Sequence, residues 1–144
     1  MIRQANKYDK TIVIEMMKEF YDELQFETKI DLDNKEHHEQ LFNSIIAGRG
    51  IIFLEENKGL IIGVINPTFF CPKTLVMNCL AWAVKQKYRN TPLGYRLLKT
   101  YIDYAEKLKQ QQRIKYYTIN KTPKTPNMDY TKLGFRKTDE VWAK

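Results

Sequence analysis

"AWAVKQKYRNTPLGYRLLKTYIDYAEK", Ala81–Lys107, passes from an apolar run through a polar loop into an amphipathic stretch. The apolar run is the end of "TLVMNCLAWAV", Thr74–Val84, long and apolar enough to read as a central strand. From about Pro92 to Gln111 the residues Leu93, Leu97, Leu98, Tyr101, Ile102, Ala105 and Leu108 recur at helical spacing, which predicts a helix with one buried stripe. Between strand and helix lie Arg89, Asn90, Thr91, Pro92, Leu93, Gly94 and Tyr95. Two readings of this loop are open. Thr91 is a good helix cap, and proline is favoured in a first turn because its missing N–H would have had no partner anyway. Alternatively, the loop holds an anion. The first amides of a helix are unpaired, the peptide dipoles leave positive charge there, and glycine lets a diphosphate approach without meeting a Cβ.

The flanking sequence supplies the other elements. "IRQAN", residues 2–6, reads as a first strand, and Asp9 stands where a cap belongs, ahead of Ile12, Val13, Met16, Met17, Phe20 and Leu24 at helical spacing. Asn34 to Ala47 predicts a second helix, which Gly48 ends. "GIIFLEENKGLIIGVI" is a hairpin, since Asn57 and Gly59 tolerate the positive φ of a tight turn. "RIKYYTI" predicts a strand, "NKTPKTP" a connection, "NMDYTKLG" a short helical turn and "FRKTDEVWA" a last strand. Nothing in this order marks a linker or a repeat, so residues 1–144 read as one domain.

Composition narrows the function. The net charge is +7, from 24 basic and 17 acidic residues, which favours anionic ligands. No RNA-binding aromatic motif or arginine-rich tract accompanies the charge, so nucleic acid is set aside as a partner. The longest apolar runs are far below the ~20 residues that span a bilayer, and no secretory leader is evident, so the cytoplasm is the expected location. Cys71 and Cys79 make no disulfide framework, and no Cys/His spacing suggests a metal site. His37 and His38 are adjacent on a helix and point apart, which suits a solvated surface better than a two-ligand face.

The stretch Ala81–Lys107 resembles the acetyl-CoA motif of the GNAT-type N-acetyltransferases, in which a strand ending in Val is followed by R/Q-x-x-G-x-G/A opening a helix. Val84 matches the strand end, Arg89 the first motif position and Gly94 the last, while Pro92 stands in place of the first glycine. The variant is most similar to small acetyltransferases encoded by bacteriophages, which continue as "G-x-R-L-L-K". "IRQANKYD" is similar to the family's first strand and first helix start, and "MDYTKLGFRKTDEVWAK" to its closing Y-x-x-x-G-F segment.

The resemblance implies an α/β fold: a central, mostly antiparallel sheet of six or seven strands with helices on both faces. It implies transfer of an acetyl group from acetyl-CoA to a primary amine that the sequence does not specify. The backbone around Asn90–Tyr95 would bind the pyrophosphate of coenzyme A, and main chain at Trp82, Ala83 and Val84 would pair with the pantetheine arm, with Asn120 as a further partner. Tyr130 would give a proton to the departing thiolate. Glu27, Asp31 and Asp33 fall where the family shapes its acceptor site. Many relatives carry a carboxylate base on the central strand, but "MNCLAWAV" has none. A water chain, a distant acid such as Glu55, or an acceptor already deprotonated would have to serve. The same departure leaves room for a protein that keeps the fold as a binding or structural module. A homodimer is compatible with the sequence.

Overall fold

The computed structural model describes residues 1–23, 34–122, 125–142 and 144. Leu24, the acids Glu27, Asp31 and Asp33, Pro123 and Lys124 of the connection, and Ala143 lie outside the described residues. Four strands form one antiparallel sheet in chain order: β1 (Arg3–Gln4), β2 (Gly50–Glu55), β3 (Gly59–Pro67) and β4 (Leu75–Val84). The β2–β3 turn forms as its residues require. Asn57 takes φ 61°, and Lys58 N–H closes the turn on Glu55 O at 2.9 Å. Gly59 follows because an added Cβ would stand 2.9 Å from Ala83 O on β4.

Among the described residues three α-helices cover the sheet. α1 (Lys10–Glu23) and α2 (Lys35–Ser44) pack on one face, over Ile52, Leu54, Leu60, Ile62, Leu80 and Ala81. α3 (Leu93–Gln110) packs on the other, over Ile51, Ile61, Met77, Cys79 and Trp82. Its buried residues include the whole predicted stripe, from Leu93 to Leu108. A strand between two helical layers must alternate its side chains between them. β4 breaks that alternation once. Gly63 of β3 pairs with Cys79 and Ile62 with Ala81, so Leu80 is an extra residue, a β-bulge. Odd-numbered Met77 and Cys79 face α3 before the bulge, and even-numbered Trp82 and Val84 do so after it.

The N-terminal cap differs from expectation. Asn6, not Asp9, caps a short 3₁₀ turn (Lys7–Asp9) that leads into α1, accepting from Tyr8 N–H at 2.8 Å. Asp9 reaches back to Asn6 N–H at 2.8 Å and receives the Arg3 guanidinium at 2.7 and 2.8 Å, so it closes a capping box. Gly48, at φ 118°, ends the helical run after α2 as predicted.

Among the described residues the sheet has four strands rather than the six or seven expected. "RIKYYTI" runs parallel to the first half of β4 for only three backbone hydrogen bonds and one bridge, Met77 with Tyr117. Beyond it, side chains take over: Thr118 Oγ1 bonds Asn78 Oδ1 at 2.9 Å, and Asn120 Nδ2 bonds Cys79 O at 3.1 Å. A side-chain amide occupies one carbonyl and cannot propagate a ladder. "FRKTDEVWA" forms no strand through Trp142, because its centre lacks alternation. Arg136, Lys137, Thr138, Asp139 and Glu140 are successive polar residues with no apolar face to bury. No helix among the described residues is long and apolar enough to cross a membrane.

Candidate active site

The second half of β4 has a free outer edge. Among the described residues no main-chain hydrogen bond joins Cys79–Val84 to the segment that follows α3. Lys85 N–H bonds Lys58 O at 2.8 Å, on the β3 side, and Ala83 O also faces β3. Alternation therefore turns the main-chain groups of Trp82 and Val84 outward, onto the free edge. Ala83, expected beside them, points its main chain into the sheet.

At the end of this edge the chain turns through a 3₁₀ segment (Gln86–Tyr88) into α3. Thr91 does not cap the helix as a first reading suggests. Its hydroxyl donates to Tyr88 O at 2.6 Å and meets Leu93 N–H only at 3.4 Å, and Pro92 occupies the cap position without a side-chain bond. Among the described residues the N–H groups of Gly94 and Tyr95 meet no acceptor, while Arg96 N–H bonds Pro92 O at 3.0 Å. Two unpaired amides at the positive end of an 18-residue helix suit a bound anion. In the turn that leads to the helix, Lys58 and Lys87 lie 5.3 and 5.7 Å from the ring centre of Tyr88. Arg89 is engaged elsewhere. Its Nε donates to Val84 O at 2.9 Å, and its guanidinium pairs with Glu23 of α1. Asn90 is exposed, and no side-chain partner among the described residues fixes it.

Gly94 is buried by two neighbours. Trp82 Nε1 donates to Gly94 O at 3.1 Å, and a Cβ on Gly94 would stand 3.0 Å from Pro126 Cγ. Pro126 in turn accepts the Tyr130 hydroxyl at 2.5 Å, and the Tyr130 ring meets Trp82 edge-on at 6.1 Å. The 3₁₀ turn that carries Tyr130 (Tyr130–Leu133) is held by Asp129 at its start and by Gly134, at φ 90°, at its end. Trp82, Gly94, Pro126 and Tyr130 thus form one contact chain at the mouth of the free edge. Burial raises the Tyr130 phenol above its ordinary value, with the Thr125 hydroxyl acting the other way, so the group stays protonated at neutral pH. Asn120 reaches the same strand at Cys79 O.

The strand offers no base. Burial pushes the Cys79 thiol up to about 12, and Asn78 is bonded to Thr118. Glu55 is held by the Met1 ammonium at 2.6 Å and Arg96 at 3.5 Å, which keep its carboxyl below the usual carboxylate range. The carboxylates the sequence reading did not single out are Glu19 and Glu23. They line a cleft between α1 and Trp82, Ala83, Val84, Lys85 and Arg89. Their signal was present as i,i+4 acids on one face of α1, but which strand end that face meets is a tertiary fact. Among the described residues no three His, Cys, Asp or Glu are placed to hold a metal ion.

The comparison with known proteins agrees with this architecture. Residues 14–135 match the acetyltransferase (GNAT) family, and the chain belongs to it. No curated protein matches the chain in sequence. In fold it is similar to a predicted acetyltransferase of Clostridium acetobutylicum, solved with acetyl-CoA, at TM-score 0.76 and 17% identity, covering 99% of this chain and 94% of that one. It is also similar to glucosamine-6-phosphate N-acetyltransferase from Arabidopsis thaliana, at TM-score 0.66 and 17% identity over 100% and 96% of the two chains. A GNAT family acetyltransferase of Staphylococcus aureus gives TM-score 0.61 and 17% identity over 100% and 96%.

Proposed function

We propose that this protein transfers an acetyl group from acetyl-CoA to a primary amine. The observation that carries the reading is the free outer edge of β4 ending at the unpaired amides of α3, with Tyr130 beside it. The edge offers the Trp82 carbonyl and the Val84 N–H to the pantetheine arm, the Val84 carbonyl being taken by Arg89. The N–H groups of Gly94 and Tyr95 receive the pyrophosphate, with Asn90–Leu93 shaping the loop and Lys58 and Lys87 adding charge. Asn120 keeps the gap open by holding Cys79 O with a side chain instead of a strand. The sequence likeness to phage-encoded members extends this reading to a small cytoplasmic enzyme.

In the reaction the amine lone pair attacks the thioester carbonyl, and the carbonyl oxygen takes the negative charge. The outward main-chain N–H of Trp82 is the donor that would stabilise it. The C–S bond then breaks, and the Tyr130 phenol gives its proton to the thiolate. Tyr130 must release Pro126 O to do so, because a phenol has one proton to donate. The amine's proton leaves through water toward Glu19 or Glu23, the carboxylates lining the adjoining cleft. Titration with acetyl-CoA and with coenzyme A in a calorimeter, followed by thiol release on a panel of amines, tests the assignment. Absence of cofactor binding refutes it.

A further inference from the structure

Lys121 follows Asn120, whose Nδ2 holds Cys79 O at 3.1 Å, just upstream of the free edge of β4. Consecutive Cα atoms stand about 3.8 Å apart, so this bond sets the backbone of residue 121 beside that edge. The residues beyond it are tied to the candidate proton donor. Thr122 N–H bonds Thr125 Oγ1 at 3.1 Å, Thr125 N–H bonds Thr122 O at 3.1 Å, and Pro126 O takes the Tyr130 hydroxyl. The Lys121 side chain is exposed, and its Nζ lies 5.8 Å from the ring centre of Tyr130. That ring meets Trp82 edge-on at 6.1 Å. Other lysines near the edge turn elsewhere: Lys85 toward Glu19, and Lys58 and Lys87 toward Tyr88. An amine, the phenol beside the free edge and the strand residue that carries the outward N–H are therefore neighbours.

We infer that Lys121 takes an acetyl group from acetyl-CoA bound to its own chain. This rests on the acetyl-transfer reading and names a lysine of the protein as one acceptor. The Lys121 ammonium first gives a proton to water, which its exposure allows. The nitrogen lone pair then attacks the thioester carbonyl, a C–N bond forms and the C–S bond breaks. The thiolate takes the Tyr130 proton, nitrogen releases its surplus proton to water, and the phenolate regains one from water. The products are Nε-acetylated Lys121 and coenzyme A. A nucleophile carried on the same chain needs no diffusional encounter, and intramolecular groups in good orientation far outpace free ones. Acetylation removes the positive charge, and with it the attraction to the Tyr130 ring.

The experiment incubates the full chain with acetyl-CoA and no added amine, and follows each lysine by peptide mass spectrometry. Lys35 of α2, with a side chain 83% exposed, is the internal reference for uncatalysed acetylation. Lys121 is expected to label at least about tenfold faster than Lys35, at a rate independent of protein concentration. Tyr130→Phe and an excess of coenzyme A should each bring Lys121 down to the rate of Lys35. Thiol release should show a fast phase of a single equivalent, which Lys121→Arg loses while its acetyl-CoA affinity reports an intact site. Equal labelling of the two lysines overturns the inference. So does a Lys121 rate that coenzyme A or Tyr130→Phe leaves unmoved, or one that grows with protein concentration. If calorimetry shows no acetyl-CoA binding, the transfer reading itself falls. Binding without label at Lys121 leaves that reading standing and removes the self-acetylation.

Discussion

Tyr130 is bound on both sides of its ring system, by Pro126 through the hydroxyl and by Trp82 through the ring edge. If it is the proton donor, Tyr130→Phe lowers turnover by about 10²–10⁴ and leaves acetyl-CoA affinity nearly unchanged. Steady-state rates paired with calorimetry separate the two effects, and full turnover in the variant would remove Tyr130 from the chemistry. Loss of the bond to Pro126 costs about 1 kcal/mol in a denaturant titration. Because burial raises the phenol, the acid form persists through alkaline pH. The rate should therefore show no fall assignable to Tyr130 below about pH 10. The two thiols differ just as sharply. Cys71 is exposed, and the Thr74 hydroxyl lowers its pKa, whereas Cys79 is buried and raised. A thiol reagent should label Cys71 in the folded protein and Cys79 only in denaturant. Immediate reaction of both would contradict the buried position of Cys79. Sequence made Tyr130 visible through its offset from Gly134 and Phe135. It did not reveal what Arg89 binds, because the pairing with Glu23 joins residues 66 apart, and no local pattern records such a partner.

At the scale of elements, the start of α3 is where packing and ligand binding meet. Gly94 reads from sequence as a gap left for a phosphate, yet its Cα faces Pro126. Gly94→Ala therefore has to push the Pro126–Tyr130 segment outward by a few tenths of an ångström. Its expected effect is a weaker turnover as well as weaker acetyl-CoA binding, because Tyr130 moves with Pro126. Gly94→Glu drives a larger, charged side chain against Pro126 at the same helix start and should abolish cofactor binding, while circular dichroism still reports a folded helix. Unchanged affinity in a folded Gly94→Glu protein would sink the phosphate assignment. α3 itself was legible because its stripe obeys one helical period throughout. The segment 113–119 was legible as extended chain but not as a partner of β4 over so short a length. The sequence pattern shows that a chain can pair and not how far the pairing runs.

For the molecule as a whole, the two carboxylates that are buried among the described residues are expected to shape the response to acid. Asp9 and Glu55 are both lowered, Asp9 first by the Arg3 hydrogen bonds and Glu55 first by the Met1 ammonium. A carboxyl lowered by folding contributes stability above its unfolded value near 4, and that contribution is lost as pH falls through the lower, folded value. Melting temperature should thus be level from neutral pH to about 5 and decline below it. Glu55→Gln should melt lower at neutral pH and show a shallower acid decline, and an unaltered profile would argue against the ion pair. The two-layer arrangement around a sheet was readable from the order and periods of the elements. The number of strands was not, since it depends on where side chains such as Asn120 replace main-chain pairing.

The extra residue at Leu80 has a consequence for how this chain tolerates change. It acts as a phase shifter between two half-strands, one facing Met77 and Cys79 to α3, the other Trp82 and Val84. Deleting Leu80 would leave Cys79 opposite Gly63 and Ala81 opposite Ile62, so Trp82 would still turn toward Gly94 and Tyr130. One more residue inserted there into a regular ladder would instead exchange the two faces beyond that point. The strand is therefore expected to tolerate the loss of one residue across Cys79–Ala81 better than the gain of one. Chimeras made with related chains should fold when their junction carries one residue fewer there and fail when it carries one more.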